Sequence, residues 1–390
     1  MLDVAIVGAG PVGLLLGALL LQEGLSVRIL EQRTERSAHS RAIGIHPPGL
    51  AALARVGIAE TLTGDGVQIT RGMASSGGTH VAGLRFDCLG ATHPFILAVP
   101  QARTEELLEA RVAGMDPSAL VRGCKITSMH DAGSSVTLTA APTAGAGSGG
   151  RKVTFSARLV VGADGARSTV RAELGIATHG RDYPDTYLMG DFPDTGTDGS
   201  TAVLYLEPGG IVESFPLPGR LRRWVVHTDA LLKGATSGEL ATLIRDRTGA
   251  RVDAEANGML SAFGVRSRMA DRMVSGRAVL VGDAAHEISP IGGQGMNLGW
   301  LDAAALAPII TAALRGETTG IRLQQFEKTR MAAARRAARQ AEVNMVLGRP
   351  MPASFLKARN RVLGSLAGMK PVHDFVAGRF TMQWGLHGLG

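Results

Sequence analysis

The chain has 390 residues, 45% hydrophobic and 19% charged, which suits one large core or two associated domains. The 52 glycines follow no collagen-like period, and two cysteines, Cys88 and Cys124, are too few for a disulfide framework and fit a reducing cytoplasm. No basic segment follows Met1 and no uninterrupted apolar run reaches the roughly 18 to 20 residues of a membrane span, so neither a signal peptide nor a transmembrane helix is expected.

Leu2–Val7 is a short apolar run ending at Gly8 and reads as a buried parallel strand. Gly13–Gln22 reads as the following helix and Ser26–Leu30 as a second strand, closing a βαβ unit. Pro47–Val56 reads as a helix whose prolines sit at its start, where a missing N–H costs little. Gln101–Val112 is another, with Leu107, Leu108 and Val112 along one side. Ser135–Thr139 and Val153–Ala157 read as strands flanking a Gly/Ala-rich hairpin loop between Ala140 and Lys152, and Arg158–Gly162 returns to the parallel-strand pattern. From about Thr178 to Arg268 the alternating segments Ala202–Leu206, Ile211–Phe215 and Arg223–His227 predict a mainly antiparallel sheet. Ala278–Val281 is a further strand, followed by Ala-rich helices over Gly295–Leu314 and Leu323–Leu347.

The pattern predicts an α/β fold: a Rossmann-like nucleotide-binding domain (1–177 and 271–330, the first part with a small β excursion), an inserted mainly antiparallel sheet for substrate (178–270) and basic C-terminal helices (331–390). Those last residues hold nine Lys/Arg against two acids, the whole of the net charge of +7. Interleaved with Phe355, Leu356, Val362, Leu363, Leu366 and Phe375, they fit either a solvated helical face or contact with an anionic membrane surface. No recognition motif accompanies the charge, which argues against nucleic acid.

Gly8-Ala9-Gly10-Pro11-Val12-Gly13 follows a strand and opens a helix. Gly8 permits the tight turn, Gly10 lets a pyrophosphate approach the backbone, and Gly13 allows close helix–strand packing. The helix N-terminus offers N–H groups and positive dipole to phosphates. Glu31, 18 residues beyond Gly13, is placed to accept from ribose hydroxyls. These features indicate a dinucleotide site without choosing between FAD and NAD.

Two more stretches join strands to helices: Gly162-Ala163-Asp164-Gly165-Ala166-Arg167-Ser168-Thr169-Val170-Arg171, and Gly282-Asp283-Ala284-Ala285-His286 with Pro290 and Gly292-Gly293-Gln294-Gly295-Met296-Asn297. Asp283 suits a ribityl hydroxyl, and the glycines after Pro290 let backbone N–H groups face a planar, electron-rich edge. His286 reads as a holder of its loop, and Trp300 and Met296 as core more readily than as a cofactor box. No His/Cys/Asp/Glu cluster has metal-ligand spacing, so no metal is expected.

With these three motifs in this order and at these spacings, almost the whole chain resembles the flavoprotein aromatic hydroxylases, the single-component class A monooxygenases related to para-hydroxybenzoate hydroxylase. The resemblance implies FAD lying extended, with its adenosine near Gly8–Gly13 and Glu31 and its ribityl chain near Arg41, Gln101 and Asp283. The ring would lie against the loop carrying Pro290, Gly293, Gly295, Met296 and Asn297. Asp164 resembles the family aspartate that supports flavin and nicotinamide binding. Arg41, Arg167, Arg171 and Arg266 stand like family positions that touch NAD(P)H, each with a surface salt bridge as the alternative. The implied reaction is hydride transfer from NADPH or NADH, O2 addition at flavin C4a, and oxygen delivery from that hydroperoxide to an activated ring. FAD carries this chemistry, and no catalytic side chain is assigned.

Tyr205, Val212, Ser214, Phe215 and Leu217 occupy the segment that lines the substrate pocket in relatives, with core packing as the alternative for each. Where benzoate hydroxylases place an arginine against the substrate carboxylate, this chain reads Ser214-Phe215-Pro216-Leu217-Pro218, and Arg220 comes later. The expected substrate is an uncharged, lipophilic phenol or polyketide-like aromatic. A flavin-dependent reductase or dehydrogenase acting on an isoprenoid or other apolar substrate is the competing enzyme class, and a flavin-binding protein with a decayed site the non-enzymatic one. The halogenase signature Trp-x-Trp-x-Ile-Pro is absent. The chain resembles the short members of the family, without a thioredoxin-like domain, and a monomer or homodimer is the family-level expectation.

Overall fold

The computed structural model describes residues 1–36, 42–87, 92–143 and 152–383. Arg41, Cys88, Trp384 and most of the Gly/Ala-rich loop lie outside the described residues.

The apolar run Leu2–Val7 forms a strand at the centre of a parallel sheet. Val27–Leu30 pairs on one side and Val153–Gly162 on the other, with Leu120–Val121 and Ala278–Leu280 next outwards. The two segments read separately as Val153–Ala157 and Arg158–Gly162 are one ten-residue strand. Its first half pairs antiparallel with Val136–Pro142, and its second half is parallel to Leu2–Val7. The register brings Val7, Leu30, Gly162 and Leu280 to one edge. The Gly8 turn, Glu31, the Asp164 turn and the Gly282-Asp283 turn therefore all leave the carboxyl ends of neighbouring strands, where parallel sheets place their ligands.

Helix Pro11–Gln22 covers this sheet and packs on Gln101–Met115 and Gln294–Leu314. Its residues from Gly13 to Leu20 are all buried, which explains an apolar run with no polar face. Gln294–Leu314 is long and apolar enough to cross a membrane, yet 78% of its most apolar stretch is buried inside the protein. It is a core helix.

The second sheet has eight strands in the order His286–Glu287, Met259–Ala270, Thr178–Pro193, Leu221–Thr228, Val212–Leu217, Ala202–Tyr205, Arg71–Ser76 and Thr79–Arg85. All neighbours are antiparallel except Ala202–Tyr205 with Arg71–Ser76. Two of its strands thus come from residues 71–85, well before the alternating region read from the sequence. Helix Ser237–Thr248 packs on the outer face, fixed at its start by a Thr236–Glu239 capping box and stopped by left-handed Gly249. A small third sheet pairs Gly44–Ile45 and Val67–Ile69 antiparallel with Ile96–Ala98. The last described elements are helices Gly320–Gly348, Ala353–Ala367 and Lys370–Phe380, the latter two packed on Thr79–Arg85.

Candidate active site

The carboxyl edge of the parallel sheet and the inner face of the antiparallel sheet enclose a cavity of about 1300 Å³. That is larger than the roughly 300–1,000 Å³ typical of a small-molecule site and has room for a cofactor and a substrate together.

The glycine-rich turn is dictated by contacts. Gly8 has φ +104°, and a Cβ there would stand 2.5 Å from the Ala163 carbonyl oxygen; at Gly13 it would stand 2.0 Å from the Gly8 oxygen. Gly10 is different: a Cβ would meet no protein atom within 4 Å and would project into the cavity that Gly10 lines. The backbone here leaves a cradle for something outside the protein, as the diphosphate of FAD requires. Glu31 holds the turn closed, accepting from the Ala9 N–H at 2.8 Å and from Arg33 through its backbone N–H at 2.9 Å and its Nε at 3.1 Å. Burial opposes ionisation of Glu31, but these bonds outweigh it and hold the carboxyl below its ordinary range. Three of its roughly four acceptor sites are used.

Asp164 turns inward. Its carboxylate accepts from Ser168 Oγ at 2.5 Å, Thr169 N at 2.7 Å and Val170 N at 3.1 Å, holding the start of the short helix Thr169–Glu173. Burial raises its carboxyl despite these bonds. Arg171 donates to the Ala284 and Ala166 carbonyls, each at 2.8 Å, and so laces the Asp164 turn to the Gly282 turn. Arg167 is exposed. Arg266 lines the cavity paired with Glu287 at 2.6 Å. These arginines do not converge on one site.

Asp283 opens onto the cavity, so its surface is accessible although protein surrounds it; that enclosure raises its carboxyl. Behind it lies a buried charge cluster. Asp302 accepts from His286 Nε2 at 2.6 Å, Arg330 Nε at 2.6 Å and the Gly282 N–H at 3.0 Å, while Arg330 also donates to the Leu298 carbonyl. Burial works against the Asp302 carboxylate, but the two cations hold its pKa well below the usual range. His286 ties the Gly282 turn to two helices and is fully buried away from the cavity.

Gly292 and Gly293, with φ +98° and +66°, turn the loop after Pro290 into helix Gln294–Leu314, so that Pro290, Gly292, Gly293, Gly295 and Met296 line the cavity. The unpaired N–H groups and positive end of that helix face the same space. Asn297, expected at the cofactor, instead accepts from the His46 N–H at 2.9 Å and donates to the Gly44 and Gly293 carbonyls. It sets the loop geometry from behind, fully buried. Trp300 is core, its indole N–H donating to the Pro11 carbonyl. Gln101 lines the cavity at the start of its helix and donates to Glu105.

His46 was not singled out in the sequence. It lines the cavity beside Gly293, its Nδ1 is buried without a partner, and burial pushes its pKa down to about 4, so it is neutral at physiological pH. The sequence signal was slight, a lone histidine before Pro47-Pro48.

The substrate-side wall follows strand alternation. Along Val212–Leu217, Glu213 and Phe215 face the cavity with Met189, Leu204, Val225 and Phe263 around them. Tyr205, Val212 and Ser214 point to the opposite face. Tyr205 stacks on Trp224 at 5.9 Å, Val212 packs with Leu240 and Ile244 of the covering helix, and Ser214 accepts from Arg222 at 3.0 Å. Leu217 is buried beyond the cavity wall. Of the five residues expected there, the structure brings only Phe215 to the cavity. Period-two alternation divides the strand, with Glu213 and Phe215 on the cavity face and Val212 and Ser214 on the other. It also brings in Arg223, from the next strand, clamped by Asp191 through two bonds of 2.7 and 2.8 Å. Val343, Leu347, Leu363, Leu366, Phe375 and Phe380 of the C-terminal helices complete the apolar lining. Among the described residues no cluster is suited to a metal ion.

Against known proteins, the family model described as "FAD binding domain" matches residues 1–341. The chain belongs to the FAD-dependent aromatic hydroxylases. It is 30% identical to rifampicin monooxygenase from Streptomyces venezuelae over 98% of this chain and 78% of that protein. Among solved structures, the anhydrotetracycline hydroxylase OxyS from Streptomyces rimosus superposes with a TM-score of 0.79 at 27% identity, covering 98% of this chain and 76% of that one. The p-nitrophenol 4-monooxygenase from Pseudomonas putida gives a TM-score of 0.88 over 100% and 98% of the two chains; at 24% identity this is a likeness of fold. FAD is the cofactor of this class, and NAD(P)H and O2 are its co-substrates. The relatives support a monooxygenase and give the reductase alternative no support.

Proposed function

We propose that this aromatic hydroxylase acts on an uncharged, lipophilic phenol or polyketide-like aromatic held between the flavin ring and the inner face of the antiparallel sheet. The observation that carries this is the state of the cationic side chains on the wall. Among the described residues every arginine lining the cavity already has a protein partner: Arg223 with Asp191, Arg266 with Glu287, Arg359 with the Leu347 carbonyl, and Arg379 with Gln340. A substrate carboxylate would have to break one of these contacts, whereas an apolar ring meets Met189, Leu204, Phe215, Val225 and Phe263 at no such cost. Relatives named as a rifampicin monooxygenase and an anhydrotetracycline hydroxylase support the reading, and the cavity has room for a substrate beside the flavin.

Bound FAD supplies hydride acceptance and the activation of O2. The protein's part is to bind, orient and exclude water. We assign the diphosphate to the Gly8–Gly13 turn, the adenosine ribose to Glu31, the ribityl chain to Gln101 and Asp283, and the ring to the loop from Pro290 to Met296. There the helix N-terminus stabilises negative charge on the ring's polar edge. His46, neutral and buried beside Gly293, offers that edge a neutral polar contact. The apolar lining keeps water from the reacting atoms.

The test is anaerobic stopped-flow reduction of the holoenzyme by NADPH and by NADH across paired neutral and carboxylated phenols. Neutral polycyclic phenols are expected to accelerate flavin reduction. A preference for 4-hydroxybenzoate over phenol would overturn this reading.

A second proposal rests on the C-terminal helices. They expose Phe355, Val362 and Met369, which lie outside the cavity lining, beside Lys357, Arg361 and Lys370, which favours peripheral contact with anionic lipid. Salt-sensitive flotation with anionic liposomes is expected, and its absence would remove this proposal.

A further inference from the structure

Among the described residues, the buried and half-buried acids of the antiparallel sheet are satisfied, with Glu213 the exception. Asp185 takes two bonds from Arg349 at 2.9 and 2.8 Å, Asp191 two from Arg223, Asp194 one from Arg222, and Glu207 one from the Gly77 N–H. Glu213 makes no hydrogen bond or ion pair among the described residues. It is nonetheless only 9% exposed, and strand alternation sets it on the cavity wall. Its cross-strand neighbours are apolar, Leu204 on one side and Val225 on the other, and Phe215 lies two residues along on the same face. A carboxyl in such surroundings loses its hydration without gaining a partner in the protein, so the missing partner belongs to whatever fills the cavity.

We propose that Glu213 receives a ring hydroxyl of the substrate, first as hydrogen-bond acceptor and then as the base that removes its proton. This rests on the aromatic-substrate reading above and adds to it that the substrate must present a hydroxyl to this wall. In the step, the substrate O–H bond breaks and an O–H bond forms on the Glu213 carboxylate. The electron pair stays on the ring oxygen, where it enriches the ortho and para carbons that an electrophilic oxygen attacks. Enclosure alone pushes the Glu213 carboxyl up to about 7, which brings it towards a phenol in basicity and makes it a competent acceptor near neutral pH.

The surrounding charges leave this role to Glu213. From the long strand Thr178–Pro193 it is faced by Tyr187, whose buried hydroxyl has no partner and whose own pKa burial raises. Arg223 on the adjacent strand is clamped by Asp191. Strand Ala202–Tyr205 contributes Leu204, without charge. Helix Gly320–Gly348 presents Gln340, Val343, Asn344 and Leu347 to the cavity, and helix Ala353–Ala367 presents Arg359, bonded to the Leu347 carbonyl.

The experiment uses alizarin, a neutral polycyclic phenol whose colour reports its ionisation, with the FAD-loaded wild type, Glu213→Gln and Glu213→Asp. Flavin content and melting temperature establish that each variant is folded; Glu213→Gln removes an unpaired buried acid and is expected to melt no lower than wild type. Wild type should bind alizarin with the phenolate band appearing at least about one pH unit below its appearance in solution. Glu213→Gln should bind it within a few-fold of wild type but as the neutral phenol. Its kcat should fall by about 10²–10⁴-fold at neutral pH and recover as the pH is raised to ionise the phenol directly. Glu213→Asp should lie between. A Glu213→Gln enzyme that keeps both the phenolate band and kcat would overturn the role of Glu213 alone. A wild-type holoenzyme that binds neither alizarin nor any phenol of the panel would overturn the aromatic-substrate reading, and this proposal with it.

Discussion

Two surfaces bound the same cavity and are built in opposite ways. Along the carboxyl edge of the parallel sheet, position is set by backbone: glycines at 8 and 13 are forced by contacts with neighbouring main chain, and polar side chains such as Glu31, Asp164 and Asn297 are spent holding turns. On the inner face of the antiparallel sheet, position is set by alternation alone, and Met189, Leu204, Phe215 or Val225 could each be another apolar residue without disturbing a hydrogen bond. A shared cofactor needs the first kind of surface, and a substrate that differs between relatives needs the second. The edge should therefore fail by losing FAD or the fold, and the face by changing what is hydroxylated.

The largest effects are expected at the edge. Gly13→Ala drives a Cβ to 2.0 Å from the Gly8 oxygen, and because both partners are main chain, neither can yield cheaply. Protein purified from this variant should carry no flavin and melt well below wild type. Gly10→Ala separates the two functions of the turn. Its Cβ meets no protein atom, so the apoprotein should melt as wild type does while FAD affinity falls at least about tenfold, read by flavin fluorescence titration. Equal FAD binding by Gly10→Ala and wild type would break the assignment of the cradle.

Next comes the charge cluster behind the edge. Asp302→Asn leaves Arg330 and His286 buried without their counter-charge and should cost about 3–5 kcal/mol of holoenzyme stability in denaturant unfolding. The pH signs differ between the partners. Asp302 is depressed in the folded state, so its contribution is present above the unfolded carboxylate value of about 3.9 and is lost as pH falls through the folded value. Burial acts against charged His286, but Asp302 outweighs it and raises the imidazole, so its contribution is full below about 6.5 and is lost as pH rises through its folded value. Wild-type stability should thus decline on both sides of a mildly acidic plateau, and Asp302→Asn should flatten both limbs.

This contrast also explains what was legible in the sequence. The three nucleotide motifs, the parallel strands beneath them and the helices that follow could be read because each needs particular residue types at fixed offsets. What Asp164, Arg171 and Asn297 do could not be read in the same way. Their partners are Thr169, Ala284, Gly44 and His46, and for the last three only the folded chain supplies the neighbour. Strands Arg71–Ser76 and Thr79–Arg85 joined the distant second sheet because edge pairing with Ala202–Tyr205 is long-range and leaves no local signature. On that sheet Glu213 did carry a signal, a single acid in the apolar run Ile211-Val212-Glu213-Ser214-Phe215, and counting by twos from Phe215 would have found it.

The smallest effects separate the two faces of one strand. Phe215→Ala opens the cavity wall, and Val212→Ala removes two methyl groups from the layer beneath helix Ser237–Thr248. Val212→Ala should cost about 1–2 kcal/mol of stability with KM for the preferred phenol unchanged. Phe215→Ala should change stability less, because one side of its ring already borders open space, and should raise KM several-fold while admitting bulkier phenols. Steady-state kinetics beside denaturant melts measure both. The two variants lie three residues apart on one strand, so a general loosening of the sheet would move KM and stability together in each. Opposite patterns in the pair can arise only if alternation divides the strand into a face that selects substrate and a face that holds the fold.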